Sequence, residues 1–392
     1  MQPRIYSADE HHIREGLLDP DALEVLQRLH EAGFTAYLVG GGVRDLLMNR
    51  RPKDFDISTS ARPEQIKSLF RRQCLLIGRR FRLAHIRFGK HIVEVSTFRA
   101  GDPAQGELIV RDNVWGNPEE DVLRRDFTIN GLYYEPEGHT IIDYVGGVED
   151  LKANLLRSIG EPEIRYIQDP VRMMRCLKFM ARFGLKAEEK TLAAIASCRK
   201  EILNAAPPRV LEEMLRMFES GGARPFIDLL SEHGLLRPLF PYLADVWKTP
   251  LGKTMARYLD AVDKWCQEGN GERKSRSALT CALLYPLLEA VVQNEFLDKG
   301  MEPHFGQIHE IVRELIHMAL VDTFCPYPKG MRYHIAFILE TQYRFTPVTN
   351  RRIRIGRLAG HPDFPRALQL LKLRADIDPA LEETYARWRG AK

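Results

Sequence analysis

Apolar and polar positions follow one grammar in the first 160 residues of this chain and another after them. From Asp21 to His30 the apolar residues fall at Leu23, Val25, Leu26 and Leu29, the spacing of one helix face. Phe34 to Gly40 (FTAYLVG) predicts a strand running into three glycines, and Val43 to Met48 resumes as a helix. Asp54 to Thr59 (DFDIST) predicts a second strand. Ser60 is placed to cap a helix that has Pro63 in its first turn and reaches about Phe70. Leu75 to Ile77, Ala84 to Phe88 and Ile92 to Phe98 predict three more strands, the last two joined by a turn at Gly89-Lys90. The first ~15 residues are polar and are expected to be loosely ordered. After Pro162, helical periods run almost to the end, punctuated by Pro207-Pro208, Gly221-Gly222, Gly269 to Gly271 and Pro326 to Gly330. The fold class expected is an α/β N-terminal unit with a mixed sheet, followed by an all-α remainder.

A length of 392 residues fits two to four domains. With 44% hydrophobic and 28% charged residues, the chain has material for a sizeable core and a polar surface. No apolar run reaches the ~18 residues a membrane span needs. The longest, Ser277 to Gln293, is interrupted by Pro286 and Glu289. The N-terminus has no apolar stretch of the kind a secretory leader carries, so a cytoplasmic protein is expected. The six cysteines show neither CxxC nor zinc-ligand spacing and read as thiols of a reducing compartment. The net charge of +4 says little about partners, but its distribution does. Arg71 to Arg99 holds eight basic residues and one acid, and Met331 to Lys392 holds twelve basic and six acidic residues. Both are candidate polyanion surfaces.

The chemistry concentrates in the first unit. In a strand, residues i and i+2 share a face, so Asp54 and Asp56 project together while Phe55 enters the core. Two carboxylates on one face repel unless a cation lies between them, and hard oxygen ligands suit Mg²⁺. Gly40, Gly41 and Gly42 follow a strand and precede a helix, where backbone N–H groups can approach a phosphate, with Arg44 close by. The segment matches neither GxGxxG nor GxxxxGK[ST], which argues against dinucleotide and P-loop sites. Glu94, central in its strand, is a candidate third carboxylate.

LVGGGVRDLL followed by KDFDIST resembles the head domain of class II nucleotidyltransferases of the polymerase-β superfamily, the class that contains bacterial poly(A) polymerases and CCA-adding tRNA nucleotidyltransferases. RRDFTINGL at 124–132, DYVGG at 143–147, Asp169-Pro170-Val171-Arg172 and Arg182 to Leu185 extend the resemblance, in the family's order, from about residue 36 to 186. It implies a polymerase-β-like head at 36–150 after an N-terminal extension and helix at 1–35. A neck of nucleotide-selecting helices follows at 151–206, then an RNA-binding body at 207–330 and a basic helical tail at 331–392. It implies two Mg²⁺ ions, replaceable by Mn²⁺, on Asp54 and Asp56, with Glu94 or Asp126 completing the shell. Asp126 joins the catalytic group. Gly41, Gly42, Arg44, Arg124, Arg125, Asp169, Arg172 and Arg175 are expected to hold the nucleotide.

Pro118 is placed to open a helix carrying Arg124, Arg125 and Asp126, and Asp169 to cap one opened by Pro170. Arg172, Arg175, Lys178 and Arg182 then form one basic stripe. The family uses an acid-acid-x-x-Arg motif against the incoming base. Here Gln168 stands at the first acid, where it still offers a donor and an acceptor to a base edge.

LIGRRFRLAHI at 76–86 resembles a run typical of the bacterial poly(A) polymerases. Its Arg79, Arg80 and Arg82 add phosphate-binding charge, and Phe81 could stack on a base. Arg351, Arg352 and Arg354 of the tail, with Tyr343, Phe345 and Trp388 near in sequence, suit sequence-indifferent RNA contact. The expected activity is template-independent transfer of AMP from ATP to RNA 3′ ends by a cytoplasmic monomer, with RNA-processing proteins as candidate partners. The alternatives are a CCA-adding or A-adding tRNA nucleotidyltransferase and a non-catalytic RNA-binding protein.

Overall fold

The computed structural model describes residues 2–78, 83–101, 114–268, 274–347 and 355–390. Arg79, Arg80, Phe81, Arg82, Arg351, Arg352 and Arg354 lie outside the described residues. The chain forms two compact units, one of residues 1–172 and 185–198, the other of 173–184 and 199–392.

The first unit is built on a mixed sheet of eight strands: β1 (Arg4–Tyr6), β2 (Ala36–Val39), β3 (Asp56–Thr59), β4 (Cys74–Ile77), β5 (Leu83–Phe88), β6 (His91–Thr97), β7 (Leu132–Glu135) and β8 (Thr140–Asp143). Their order is β1-β8-β7-β2-β3-β6-β5-β4. The pair β3 and β6 is parallel, and every other neighbouring pair in this sheet is antiparallel. The helices are α1 (Pro20–Glu31), α2 (Gly41–Leu47), α3 (Pro63–Phe70), α4 (Pro118–Leu123), α5 (Gly147–Lys152), α6 (Pro162–Gln168) and α8 (Glu189–Cys198), with only the first two residues of α7 (Val171–Phe183). A two-stranded parallel ladder joins β9 (Leu155–Leu156) to β10 (Lys186–Ala187).

Alternation along the strands separates two faces. Leu38, Ile57, Ala84, Ile86, Val93 and Val95 pack with Val25, Leu26 and Leu29 of α1, Val43 and Leu46 of α2 and Ile66 and Phe70 of α3. The opposite face carries a smaller cluster of Val39, Phe98, Val122, Tyr133 and Ile159. On that face Asp56 and Glu94 are exposed.

Three expectations are corrected. The N-terminus is not wholly loose: Arg4–Tyr6 pairs antiparallel with β8, and buried Tyr6 donates its hydroxyl to Glu149. Three residues are too few to display an alternation, and the partner strand lies far along the chain. Helix α3 is capped at Arg62, because the Ser60 hydroxyl instead accepts from the Thr35 amide. Helix α4, capped by Asn117, ends at Leu123, so Arg124, Arg125 and Asp126 follow the helix rather than ride on it. Fully buried Phe127 bridges to Ser158 and draws the chain out into an extended path.

The second unit contains most of α7 and α9 (Pro207–Ser220), α10 (Ala223–Glu232), α11 (Leu236–Leu239), α12 (Pro241–Trp247), α13 (Pro250–Gln267), α14 (Arg276–Glu295), α15 (Phe305–Leu320), α16 (Lys329–Phe345), α17 (Ile355–Ala359), α18 (Phe364–Ile377) and α19 (Glu382–Arg389). The longest apolar run forms the buried first part of α14, with Pro286 inside the helix. Among the described residues, no helix is long and apolar enough to cross a membrane. Phe345 and Trp388 are buried with ring centroids 4.9 Å apart, so these two aromatics of the tail are core rather than a stacking platform. All six cysteines are thiols.

Candidate active site

The expected strand 54–59 begins at Asp56, so Asp54 immediately precedes β3 and Asp56 opens it. Phe55 is in the core, while Asp54 and Asp56 on either side of it are exposed. In the parallel ladder Asp56 lies opposite Glu94 of β6, on strands ~4.8 Å apart, so a third carboxylate shares the face. One row in, the Ser58 and Ser96 hydroxyls are 3.0 Å apart. Across the next ladder, His85 Nε2 is 3.2 Å from Glu94 Oε1. Hard carboxylate oxygens at an open strand end suit Mg²⁺, which takes one or two protein carboxylates and fills its shell with water and substrate phosphates. Among the described residues, two trios hold their ligand atoms within 4.8 Å of one another, Asp19–Asp21–His91 and His30–Glu135–Glu137; neither includes the edge.

The glycine turn packs directly on this edge. Gly42 lies so close to the strand that a Cβ there would come within 3.3 Å of the Asp54 carbonyl oxygen. Gly40 has φ 71° and ψ −128°, a conformation reserved in practice for glycine. A Cβ at Gly40 would also come within 3.2 Å of Arg125 Nη1. Gly40→Ala is therefore expected to cost about 1–3 kcal/mol in backbone strain and to displace Arg125. A raised KM for nucleotide together with a lower melting temperature would register both effects; an unchanged KM would show that Arg125 does not depend on this turn.

Beneath the turn, Arg44 is buried and donates to Asp45 Oδ1 (2.9 and 2.6 Å) and Asn130 Oδ1 (2.7 Å). Asn130 in turn donates to Asp126 Oδ1 (2.9 Å), which also accepts from the Phe127 amide (2.8 Å). Arg44, Asn130 and Asp126 thus tie α2 to the turn at 127–130.

A basic cluster stands beside the acidic edge. Arg125 Nη2 donates to Ser58 Oγ (3.2 Å) and to Asp121 Oδ2 (2.8 Å). Asp121, 8% exposed, also accepts from the Tyr133 hydroxyl (3.0 Å) and the Arg99 amide (3.1 Å). Burial works against the Arg125 charge, yet Asp121, Tyr133 and Asp56 together hold its pKa above the ordinary value. Arg124 goes the other way, pushed down to about 10 by burial and by the guanidiniums of Arg99, Arg172 and Arg125. Arg165 is pushed down to about 9 by burial, Arg172 and Arg124, with Asp126 and Asp169 opposing. Arg99, Arg124 and Arg165 are each pushed down by burial and by neighbouring guanidiniums, an arrangement that an anion relieves.

The structure brings Asp54, Asp56, Glu94, Gly41, Gly42, Arg44, Arg124, Arg125, Asp126, Asp169 and Arg172 into the first unit. Arg175 belongs to the second, 3.6 Å from Glu213 of α9, which also pairs with buried Lys178. Arg172 and Lys178 are buried, so the expected stripe is not an open basic face. Sequence reasoning missed Asp121, Arg99 and Arg165. Arg99 lies two residues past β6 inside the basic run, a signal that could have been followed; Asp121 and Arg165 look like ordinary helix-surface residues.

Residues 36–157 match the family model described as poly A polymerase head domain, and residues 184–246 match one described as the probable RNA- and SrmB-binding site of polymerase A. Poly(A) polymerase I of Escherichia coli O6:H1 is 36% identical over 99% of this chain and 85% of its own. A CCA-adding enzyme of Lactobacillus helveticus is 41% identical, but over 50% of this chain and 49% of its own. The crystal structure of the Bacillus stearothermophilus CCA-adding enzyme in complex with CTP superposes with a TM-score of 0.64 at 25% identity, covering 95% of this chain and 82% of that one. The sequence match to a CCA-adding enzyme covers half of the chain, whereas the match to a poly(A) polymerase runs nearly from end to end; on that full-length likeness, the chain belongs to the bacterial poly(A) polymerase family.

Proposed function

We propose that this chain transfers AMP from ATP to the 3′-hydroxyl of RNA without a template, releasing pyrophosphate, as a cytoplasmic monomer. The observation that carries the reading is the meeting, on one sheet face, of a carboxylate edge and an arginine cluster, joined where Arg125 reaches Ser58 two residues from Asp56. A polyphosphate that is cut while bound to metal needs both.

Asp54 and Asp56 are the residues that would hold divalent ions, and Glu94, across the ladder from Asp56, is better placed than buried Asp126 to complete the shell. When bound there, Mg²⁺ supplies activation of the attacking hydroxyl and charge neutralisation on the leaving pyrophosphate. The protein's own groups do the rest. Arg124 and Arg125 orient the triphosphate, which makes transfer a matter of positioning and electrostatics. Gly41 and Gly42 leave space for phosphate oxygens, and Arg44 braces their turn from below. Asp169 and Arg172 meet the base. Arg175 and the arginines at 79, 80, 82, 351, 352 and 354 are assigned to nucleotide and RNA contact on the family resemblance and their charge.

The decisive assay supplies Mg²⁺, each NTP alone, and two primers: a tRNA lacking its 3′ end and an unstructured RNA. Long tails from ATP alone on both RNAs are expected. Addition of two C residues and one A, on tRNA only, would replace this reading with CCA addition.

A further inference from the structure

Three successive carbonyls leave the end of α4, and each is gripped by a guanidinium. Arg165 Nη2 donates to Leu123 O (2.6 Å) and to Arg125 O (3.1 Å). Arg172 Nη2 donates to Arg124 O, between them, at 2.6 Å. Such carbonyls at a helix end lack intrahelical partners, so a buried donor there fixes the path of the chain. Arg165 is itself held by Gln168, whose Oε1 accepts from Nη1 at 2.9 Å. Arg165 is 2% exposed and Gln168 3% exposed. The Gln168 oxygen expected at the base edge is therefore engaged in this grip.

All of these residues belong to the first unit, and they connect two functions. Gln168, Asp169 and Arg172 form the segment assigned to the base. Arg124 and Arg125 are the pair assigned to the phosphates. We propose that Arg165 is a positioning residue that makes triphosphate alignment depend on base recognition, by holding the backbone on both sides of Arg124 to the segment that reads the base. This inference rests on the function proposed above.

The physical argument is one of leverage. A base that seats well against Asp169 and Arg172 keeps Arg172 on the Arg124 carbonyl. Arg165, anchored by Gln168 in the same segment, keeps the flanking carbonyls in step. A base that seats badly shifts the segment, and the arginine pair moves with it; a misplacement of about 1 Å can cost a hundredfold in rate. Discrimination then appears in kcat, because the binding energy of the right base is used to align the reacting phosphate. The planar fork places Nη1 on the Gln168 amide oxygen and Nη2 on the two carbonyls, a span that the single ammonium nitrogen of lysine does not reproduce. The location is also unfavourable for arginine, since burial, Arg172 and Arg124 all weigh against its charge.

The test uses the full chain, an unstructured RNA primer, and separate kcat and KM values for ATP, CTP and RNA. Arg165→Lys is expected to lower kcat with ATP by about tenfold or more, since hydrogen bonds from a charged donor are lost. The loss with CTP is expected to be smaller, so the kcat preference for ATP shrinks, while KM for RNA stays unchanged. Equal losses with both nucleotides, or an unchanged preference, overturn the proposal. If Arg165→Lys does not fold, Gln168→Leu carries the same test, because it removes the acceptor that anchors Nη1 and leaves the charge count unchanged. Gln168→Glu keeps an acceptor and is expected to preserve the preference that Gln168→Leu loses. If the unmodified chain adds no AMP, the proposed function fails and the coupling with it; normal AMP addition with an insensitive preference defeats the coupling alone.

Discussion

Asp54→Ala and Asp56→Ala are each expected to reduce AMP incorporation by at least about a thousandfold, with the melting temperature unchanged. The size follows from the divalent ions that these carboxylates are proposed to hold. A metal that stabilises charge on a transferring phosphoryl group is worth several kcal/mol, and each ~1.4 kcal/mol is a factor of ten in rate. The separation of activity from stability follows from geometry. Both side chains are exposed and flank Phe55, which keeps its place in the core. Single-turnover incorporation on a short RNA, with circular dichroism melts of the same preparations, measures both quantities. Activity of either variant within tenfold of the parent would remove the carboxylate edge from the mechanism.

Asp121→Ala is expected to be the most destabilising single change at the site. Its two oxygens serve the Arg125 guanidinium, the Tyr133 hydroxyl and the Arg99 amide. Removing them leaves a largely buried guanidinium without its carboxylate, for which about 3–5 kcal/mol is typical. In a unit of this size that corresponds to a fall in melting temperature of roughly 10 °C. Activity falls as well, since Arg125 loses the anchor that aims it past Ser58. Asp121→Asn, which retains an acceptor but no charge, is expected to lose less of each. A melting temperature for Asp121→Ala within about 2 °C of the parent would show that Arg125 finds another counter-charge.

The contrast between these two predictions marks how far the chain could be read. The alternation in DFDIST predicts that Phe55 is inward and Asp54 and Asp56 outward, which their burial matches, although β3 begins only at Asp56. Glu94 was legible as a candidate for the same reason, but its register against Asp56 was not: a parallel pair is set by the crossover between strands, and no local pattern encodes it. Asp121 was illegible because its partners lie 4, 12 and 22 residues away, in the segment after α4, on β7 and beyond the end of β6. Arg165 was illegible for the same reason, with a key carbonyl 42 residues back. The RRD segment was recognised but set on a helix, whereas buried Phe127 and its bridge to Ser158 end the helix before it. Gln168 was identified as a departure from the family pattern, yet only the structure gave it a partner.

The sequence by itself determined the mixed α/β start and the helical remainder, because helical and extended periods are local properties of the chain. It also determined the family, because the likeness rests on contiguous motifs. The tertiary structure alone decided that a three-residue N-terminal segment becomes a sheet edge, that Phe345 and Trp388 serve the core, and that Arg175 and Lys178 converge on Glu213. It alone decided which arginines stand together and which carboxylate steadies them. Charges separated along the chain interact only once packing sets their distances, and burial then fixes how strongly they do.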